Sequence, residues 1–451
     1  MKLAGQKFNR RRILATATAV IAAPSRCASA RSAAQQGNAW DQWGGPSRDF
    51  RFHMTKGLQS NNQTSPLTLA WERLLGKGHA GVVSAGADVI TVHLEDDAEV
   101  VTCRILDDGR ERWLTRNPIG YHASYAAYDG PHATPCIAKS TVLAVSIDAR
   151  VRAFDRPTGK TKWSRDLRSS FGTQLPQSGY AASPIVDGDR VILPTLGIAQ
   201  SSETEYYEDA TAPRRNREDK TIPGAVALDL QTGQTIWRTE SFRSSHASPI
   251  IAEIDGQSNL IFHGMFELIG VNPATGAIRW RHLLRRSASD NVSLTPLWDA
   301  RRGRVLISHG YCDKGAQAIE VHRRGTKWET KLAWTNRKLR MVHSNAILAG
   351  ATMVGVNDTG AALAVGVDLR DGRTLFRQRH ESSNLLYGDE NHVVSLDHTG
   401  RITLERISQQ GLSKNWTQQI LDSKSWTVPS VIKNHLLVRD DSSVKVFRFA
   451  G

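Results

Sequence analysis

The sequence predicts an all-β protein, an eight-bladed β-propeller of four-stranded antiparallel blades closed into a ring by an N-terminal strand. Three observations predict it. A hairpin phrase recurs five times, a second phrase recurs eight times at blade-sized spacing, and the first and last copies are offset in a way that closes a circle.

The hairpin phrase is CRILDDGRERW (103–113), AFDRPTGKTKW (153–163), ALDLQTGQTIW (227–237), GVNPATGAIRW (270–280) and GVDLRDGRTLF (366–376). In each copy Gly precedes the aromatic by four residues. Asp155, Asp229, Asn272 and Asp368 open the turn, because a short side-chain oxygen bonds the backbone two residues on, and Gly then takes a positive φ without steric cost. A lone hairpin is marginal in water, so a Trp returning at one place is expected to pack each hairpin on its neighbour. The phrase is a packing unit.

The second phrase is a small-residue and proline step followed by an aliphatic run. Pro135 leads to Val142, Pro184 to Val191 and Pro429 to Leu436, while Val82, Ala346 and Leu386 keep the same seven-residue offset without proline. Pro249 and Pro296 begin two further copies that carry insertions. These are eight starts, and the closing aromatics also number eight: Trp71, Trp113, Trp163, Trp237, Trp280, Trp334, Phe376 and Trp416. They are the expected docking residues. Most spacings between them are 40 to 54 residues, which suits four short strands per blade. Trp163 to Trp237 spans 74, and the surplus is a charged stretch, 196–224, expected as a long loop on one face.

Trp71 precedes the first start, and the last start runs into SVKVFRFAG without a closing Trp. LTLAW (67–71) is therefore expected to supply the last blade's outer strand, which closes the ring and removes its exposed edges. The reading gives a signal peptide over 1–30, a lead-in over 31–66 and one propeller over 67–451, with no Pro/Gly/Ser-rich linker between blades. No apolar run is long enough to span a bilayer.

The N-terminus sets the expected compartment. NRRRIL resembles a twin-arginine export pattern, with a general secretory signal as the alternative; an apolar run follows over 13–23, and Ala28-Ser29-Ala30 suits cleavage. Arg26 before Cys27 spoils a lipoprotein box. The expected product is exported, periplasmic or envelope-associated, and soluble after cleavage. Its loss of six basic residues lowers the formal charge from +14 to about +8, and no run of five Lys/Arg follows. Scattered charge of that size indicates a solvated surface rather than nucleic-acid binding. Cys103, Cys136 and Cys312 allow at most one disulfide and are expected as buried thiols.

The repeated AFDRPTGKTKW and ALDLQTGQTIW resemble the tryptophan-docking repeat of the PQQ-like β-propellers, which include the quinoprotein dehydrogenases and BamB-like exported proteins. WDQWGGPSRDF (40–50), GPHATP (130–135), FGTQLPQSGYAASPIVDGDRVIL (171–193) and SSHASPIIAEIDG (244–256) carry the same likeness; Gly44 and His132 depart from residues common there. The resemblance implies a non-catalytic binding or scaffold module for a protein or cell-envelope component, acting as a monomer or within a complex. A PQQ-dependent oxidoreductase is the alternative. That chemistry calls for adjacent cysteines, which this chain lacks, and for calcium ligands that no one blade set supplies, so no cofactor and no metal are expected. No Ser-His-Asp, paired-carboxylate or HExxH arrangement marks a catalytic residue.

Three residues before the starts stand His79, His132, Ala181, His246, Ser293, His343, Ser383 and Trp426. Equivalent positions in a ring face one axis, so the four imidazoles and the indole are expected at one mouth of the channel, with Tyr180, Asn291 and Arg340 nearby. Such a mouth is a candidate binding site. Tyr206, Tyr207 and Arg214 in the long loop are the other candidate contact surface.

Overall fold

The computed structural model describes residues 38–53, 65–123, 129–176, 178–196, 222–284, 292–310, 314–358 and 360–449. Eight antiparallel sheets follow one another along the chain. Seven are sequence-contiguous, over 83–118, 136–166, 185–238, 250–283, 297–336, 347–379 and 382–419; the eighth joins 430–449 to Leu67–Leu74. Among the described residues the only α-helix is the five-residue Leu167–Phe171.

The closing strand pairs as the offset requires. Leu67 faces Phe449 and Leu74 faces Ser443 in an antiparallel register. A second device seals the same seam. Arg439 is fully buried, and its guanidinium donates to the carbonyls of Val92 (2.7 Å), Gly76 (3.3 Å) and Ala80 (3.4 Å) in the first blade. Burial holds it down to about 10, with Asp441 and Asp440 opposing that fall. A buried cation is tolerable here because backbone carbonyls take its protons.

The hairpin phrase is explained by where its two signature residues meet. Trp71 lies on Gly109, Trp113 on Gly159, Trp163 on Gly233, Trp237 on Gly276 and Trp334 on Gly372, always the glycine of the next blade's turn. A Cβ on any of these glycines would sit 2.5 to 2.7 Å from the indole, and each glycine has φ between 68° and 76°. Each indole N–H donates to a carbonyl of the turn it covers, as in Trp71 to Leu106 (2.7 Å) and Trp163 to Leu230 (3.0 Å). The turn is set by its first residue: Asp229 Oδ1 accepts from the N–H groups of Gln231 and Thr232 at 3.0 and 2.8 Å.

The five seated tryptophans face the five blades that carry the phrase. Trp280, Phe376 and Trp416 have no such seat. Trp280 turns to Asn259 Oδ1 (3.3 Å) and against Gly270 of its own blade, Phe376 packs on Gly366, and Trp416 is only half-buried. Those three residues are corrected only in their mode of contact: none has an indole N–H bonded across a glycine of the following turn, although Trp280 shares an apolar cluster with Val305 and Ile319 of the next blade and Phe376 lies near Gly411 of the next.

The lead-in segment differs most from expectation. Ala39–Trp40 adds a fifth, innermost strand to the first blade. Asp41 then accepts from Ile137 N–H in the second blade (2.7 Å), and Trp43 Nε1 donates to Thr295 Oγ1 in the fifth (2.8 Å). Arg48 donates to Pro184 O (2.9 Å) and Ser183 O (3.3 Å) in the third. Phe50 and Phe52 exchange backbone bonds with Tyr387 in the seventh (3.0 and 2.9 Å). A segment bonded to the innermost strands of five blades crosses the axis. Trp40, Phe50 and Phe52 are buried there, so residues 38–53 plug the channel. Gly44 (φ 70°) and Gly45 (φ 80°) make the reversal at its tip.

Cys103 and Cys136 are buried and not joined in a disulfide, and burial drives the Cys103 thiol up to about 12. The leader, Cys312 and residues 197–221 lie outside the described residues.

Candidate functional site

Each innermost strand starts at the face where the second strand of its blade ends, since neighbours are antiparallel. One face therefore carries the His79-type positions together with the second-to-third-strand connections. Asp358 and Asp441 belong to two of those connections.

One residue before each start, a hydrogen-bonded hoop links the blades. Thr134 Oγ1 accepts from Gly81 N–H (2.9 Å), Ser183 Oγ from Thr134 N–H (3.0 Å) and Ser248 Oγ from Ser183 N–H (2.9 Å). Asn345 exchanges two bonds with the Leu385 backbone (2.7 and 2.9 Å). The sequence signal was the hydroxyl or amide in HATP, AASP, HASP, SLTP and HSNA, which the repeat reading used only as small residues. Trp43 of the plug bonds Thr295 in this layer, so the plug is the floor beneath the mouth.

Two residues above the hoop, the predicted rings meet. The imidazoles of His79 and His132 stack at 5.4 Å and 24°, and the Trp426 indole lies 4.9 Å from His79 at 34°. His246, two blades from each, lies within electrostatic reach of His132 and of His343. Desolvation pushes His246 down to about 4, and the neighbouring imidazoles push the same way. Desolvation also lowers His343, against the pull of Asp358, although part of its surface is open to solvent. His246 is therefore uncharged at neutral pH. His246 Nδ1 is buried without a hydrogen-bond partner among the described residues. Asp358 accepts the N–H groups of Val342 (2.8 Å), His343 (2.6 Å) and Ser344 (2.7 Å), and Asp441 stands 3.8 Å from His79 Nδ1.

Tyr180 is corrected out of this group. Its ring is fully buried in the core between blades two and three, and its hydroxyl donates to Pro194 O (2.8 Å), because a large aromatic beside Ile147 and Leu193 gains more from burial than from the rim. Arg340 donates its backbone N–H to Asn357 Oδ1 (2.8 Å) at the same face. Asn291, Tyr206, Tyr207 and Arg214 lie outside the described residues. At the other end of the plug, Pro46, Ser47, Asp49, Arg51 and His53 line a cavity of about 260 Å³, with His53 Nδ1 3.1 Å from Asp389. No spacing rule pointed to it.

The donors at the mouth do not fit a calcium-bound quinone. Calcium takes carboxylate and carbonyl oxygens, whereas the mouth presents ring nitrogens and an Asp358 already bonded to three N–H groups. Among the described residues no three His, Cys, Asp or Glu side chains are grouped to hold a metal ion.

Eight four-stranded antiparallel blades, docked by tryptophans around a plugged axis, define an eight-bladed β-propeller. The family model described as outer membrane protein assembly factor BamB matches residues 59–378, and the chain belongs to that family of PQQ-like β-propellers. It is 23% identical over 319 residues to the outer membrane protein assembly factor BamB of Yersinia pestis, covering 68% of this chain and 72% of that protein. The BamB structure from Moraxella catarrhalis superposes with a TM-score of 0.56 at 16% identity, over 85% of this chain and 98% of the other. A quinohemoprotein alcohol dehydrogenase from Pseudomonas putida HK5 superposes with 0.51 at 12% identity, over 93% and 81%. These two likenesses carry the fold.

Proposed function

We propose that the protein is an exported, non-catalytic propeller that binds a protein or another cell-envelope component through its mouth face. Membership of a family named for outer membrane protein assembly supports an envelope role. The observation that carries the site is the gathering of His79, His132, His246, His343 and Trp426 over a closed floor. A signal peptide over residues 1–30, twin-arginine-like or general secretory, delivers the chain to the periplasm or cell envelope. No helix of the described residues is long and apolar enough to cross a membrane.

Cross-linking of the full chain in intact envelopes tests this reading. A discrete adduct is expected with the natural chain and its loss with all four histidines changed to Ala. The same adduct from both proteins removes the mouth from recognition. The quinoprotein alternative is favoured only by the dehydrogenase likeness, and is tested by titrating PQQ and Ca²⁺ while recording absorbance from 300 to 450 nm. The spectrum is expected to equal the sum of its components.

A further inference from the structure

Away from the mouth, the plug itself walls the cavity of about 260 Å³ lined by Pro46, Ser47, Asp49, Arg51 and His53. Its charged rim reaches the opposite face, because Asp389 lies in the connection between Ser382–Tyr387, the innermost strand of the seventh blade, and His392–Asp397.

Asp49 sits in a strained stretch. Arg48 (φ 55°) and Phe50 (φ 59°) take the left-handed region on either side of it, although each carries a Cβ. Such strain persists only where the surroundings fix it, and it gathers at ligand sites. Both neighbours are buried, Arg48 with its guanidinium on Gln42, Ser183 and Pro184. Asp49 accepts from the Arg51 backbone N–H (3.2 Å), and among the described residues no cation lies within 4.0 Å of its carboxylate. Desolvation raises that carboxyl, with the Arg51 backbone bond and guanidinium opposing.

Arg51 carries the opposite charge and is equally incomplete. Its guanidinium lies 5.2 Å over the Tyr387 ring and 3.7 Å from Asp389, and it donates no hydrogen bond among the described residues. The ring orients it without engaging its N–H groups. Asp389 is already bonded to His53 Nδ1 at 3.1 Å.

The cavity therefore presents a carboxylate and a guanidinium within electrostatic reach of each other but too far apart to pair. An anion would meet Asp49 and Asp389, a simple cation would meet Arg51, and a neutral molecule would leave both charges unanswered. A small molecule carrying both charges answers each. A chain terminus supplies only one of them. The volume sets the size, since space for about nine waters suits a ligand of about that many non-hydrogen atoms.

We propose that this cavity binds a small free α-amino acid as its zwitterion, the ammonium on Asp49 and the carboxylate on the Arg51 guanidinium. Charge-assisted hydrogen bonds at both ends supply the affinity. The site is separate from the mouth and does not rest on the envelope partner proposed there.

Calorimetry of the full chain with glycine, alanine, serine and leucine tests it. Saturable binding of at least one is expected, weakened by high salt because both contacts are charged. Acetate or methylamine alone is expected to show none at the same concentration. Asp49→Asn keeps an acceptor for the Arg51 N–H while removing the charge, and binding at least tenfold weaker is expected. Arg51→Gln is expected to match that loss, and Arg51→Lys to recover part of it. Saturation-transfer NMR on the natural chain keeps the test decisive if a variant folds poorly. Signals of the bound amino acid are expected to respond, and those of glycine betaine, which has no ammonium N–H, are not. Absence of binding at about 10 mM, full affinity in either Asp49→Asn or Arg51→Gln, or equal binding of betaine or of acetate alone would overturn the inference.

Discussion

On the turn face, Trp113, Trp163 and Trp237 each cover a glycine turn and donate the indole N–H to a carbonyl. On the mouth face, Trp426 stands open and His246 keeps an unbonded ring nitrogen. Both faces belong to the same strands, separated by the height of one blade. The difference teaches where the ring derives its stability and where it is left free to recognise something else. Hydrogen bonding and apolar contact are complete where the blades dock.

The strongest way to break this comparison is to open the ring. Deleting residues 1–74 removes the outer strand of the eighth blade and its pairing with Ser443–Phe449. Loss of a cooperative melt is expected, since the deletion both exposes the edge of the eighth blade and removes the plug 38–53 that bonds five blades. A soluble truncation with a single sharp transition would show that closure does not depend on that strand.

Trp163→Ala follows in size, at about 3–5 kcal/mol by chemical denaturation. A loss under about 1 kcal/mol would mean the seat on Gly233 contributes little. The seat itself is tested by Gly233→Ala, which meets both a positive φ and the Trp163 ring. About 2 kcal/mol is expected. The corresponding Gly411→Ala sharpens the point, because the seventh blade's turn receives no indole.

Glu99 tests a joint between the first two blades. Its carboxyl accepts from Ile147 N–H (2.8 Å), and burial pushes it up to about 8, the Ile147 bond opposing and Asp148 adding. The folded chain keeps this proton to higher pH than the unfolded chain, so folding takes up a proton between pH 4.5 and 8. Stability is full below pH 4.5 and declines as pH rises through 8. Glu99→Gln is expected to flatten that alkaline limb, by about 2 kcal/mol near pH 8.5. Thermal melts across pH 5 to 9 measure it, and an unchanged slope would place the carboxyl in contact with water.

The smallest effect is expected at the mouth. Changing His79, His132, His246 and His343 together to Ala should alter stability at pH 7 by about 1 kcal/mol or less, because partly hydrated rings contribute little packing. The acid limb is where it shows. His246 has a folded pKa near 4 against 6.5 unfolded, so the natural chain loses stability as pH falls from 6.5 through 4, and the variant should lose less. Failure of the variant to fold at pH 7 would make the histidines core residues.

The repeat, the blade count and the closing strand were legible because each depends on local chemistry copied many times. An Asp that opens a turn and a Gly that seats an indole leave the same spacing wherever they occur. The nearness of His79, His132 and Trp426 follows from the same symmetry, which converts register into location. Tyr180 was misplaced by that reasoning: adjacency in sequence to a rim position says nothing about which way a side chain points across a strand. The plug was invisible because it occurs once. WDQWGGPSRDF has no period, and its partners Ile137, Ser183, Thr295 and Tyr387 are far away in sequence.

By itself the sequence determined an eight-bladed ring, its seam between Leu67–Leu74 and Ser443–Phe449, and the packing of repeated tryptophans on neighbouring hairpins. These are repeated short-range choices, each repeating the constraint of the one before. Only the tertiary structure decided that the channel is closed by residues 38–53, that hydroxyls link the blades beneath the mouth, and that His246 is held neutral there. Those outcomes depend on groups brought together from different blades, and burial and charge at such a meeting point belong to the assembled ring.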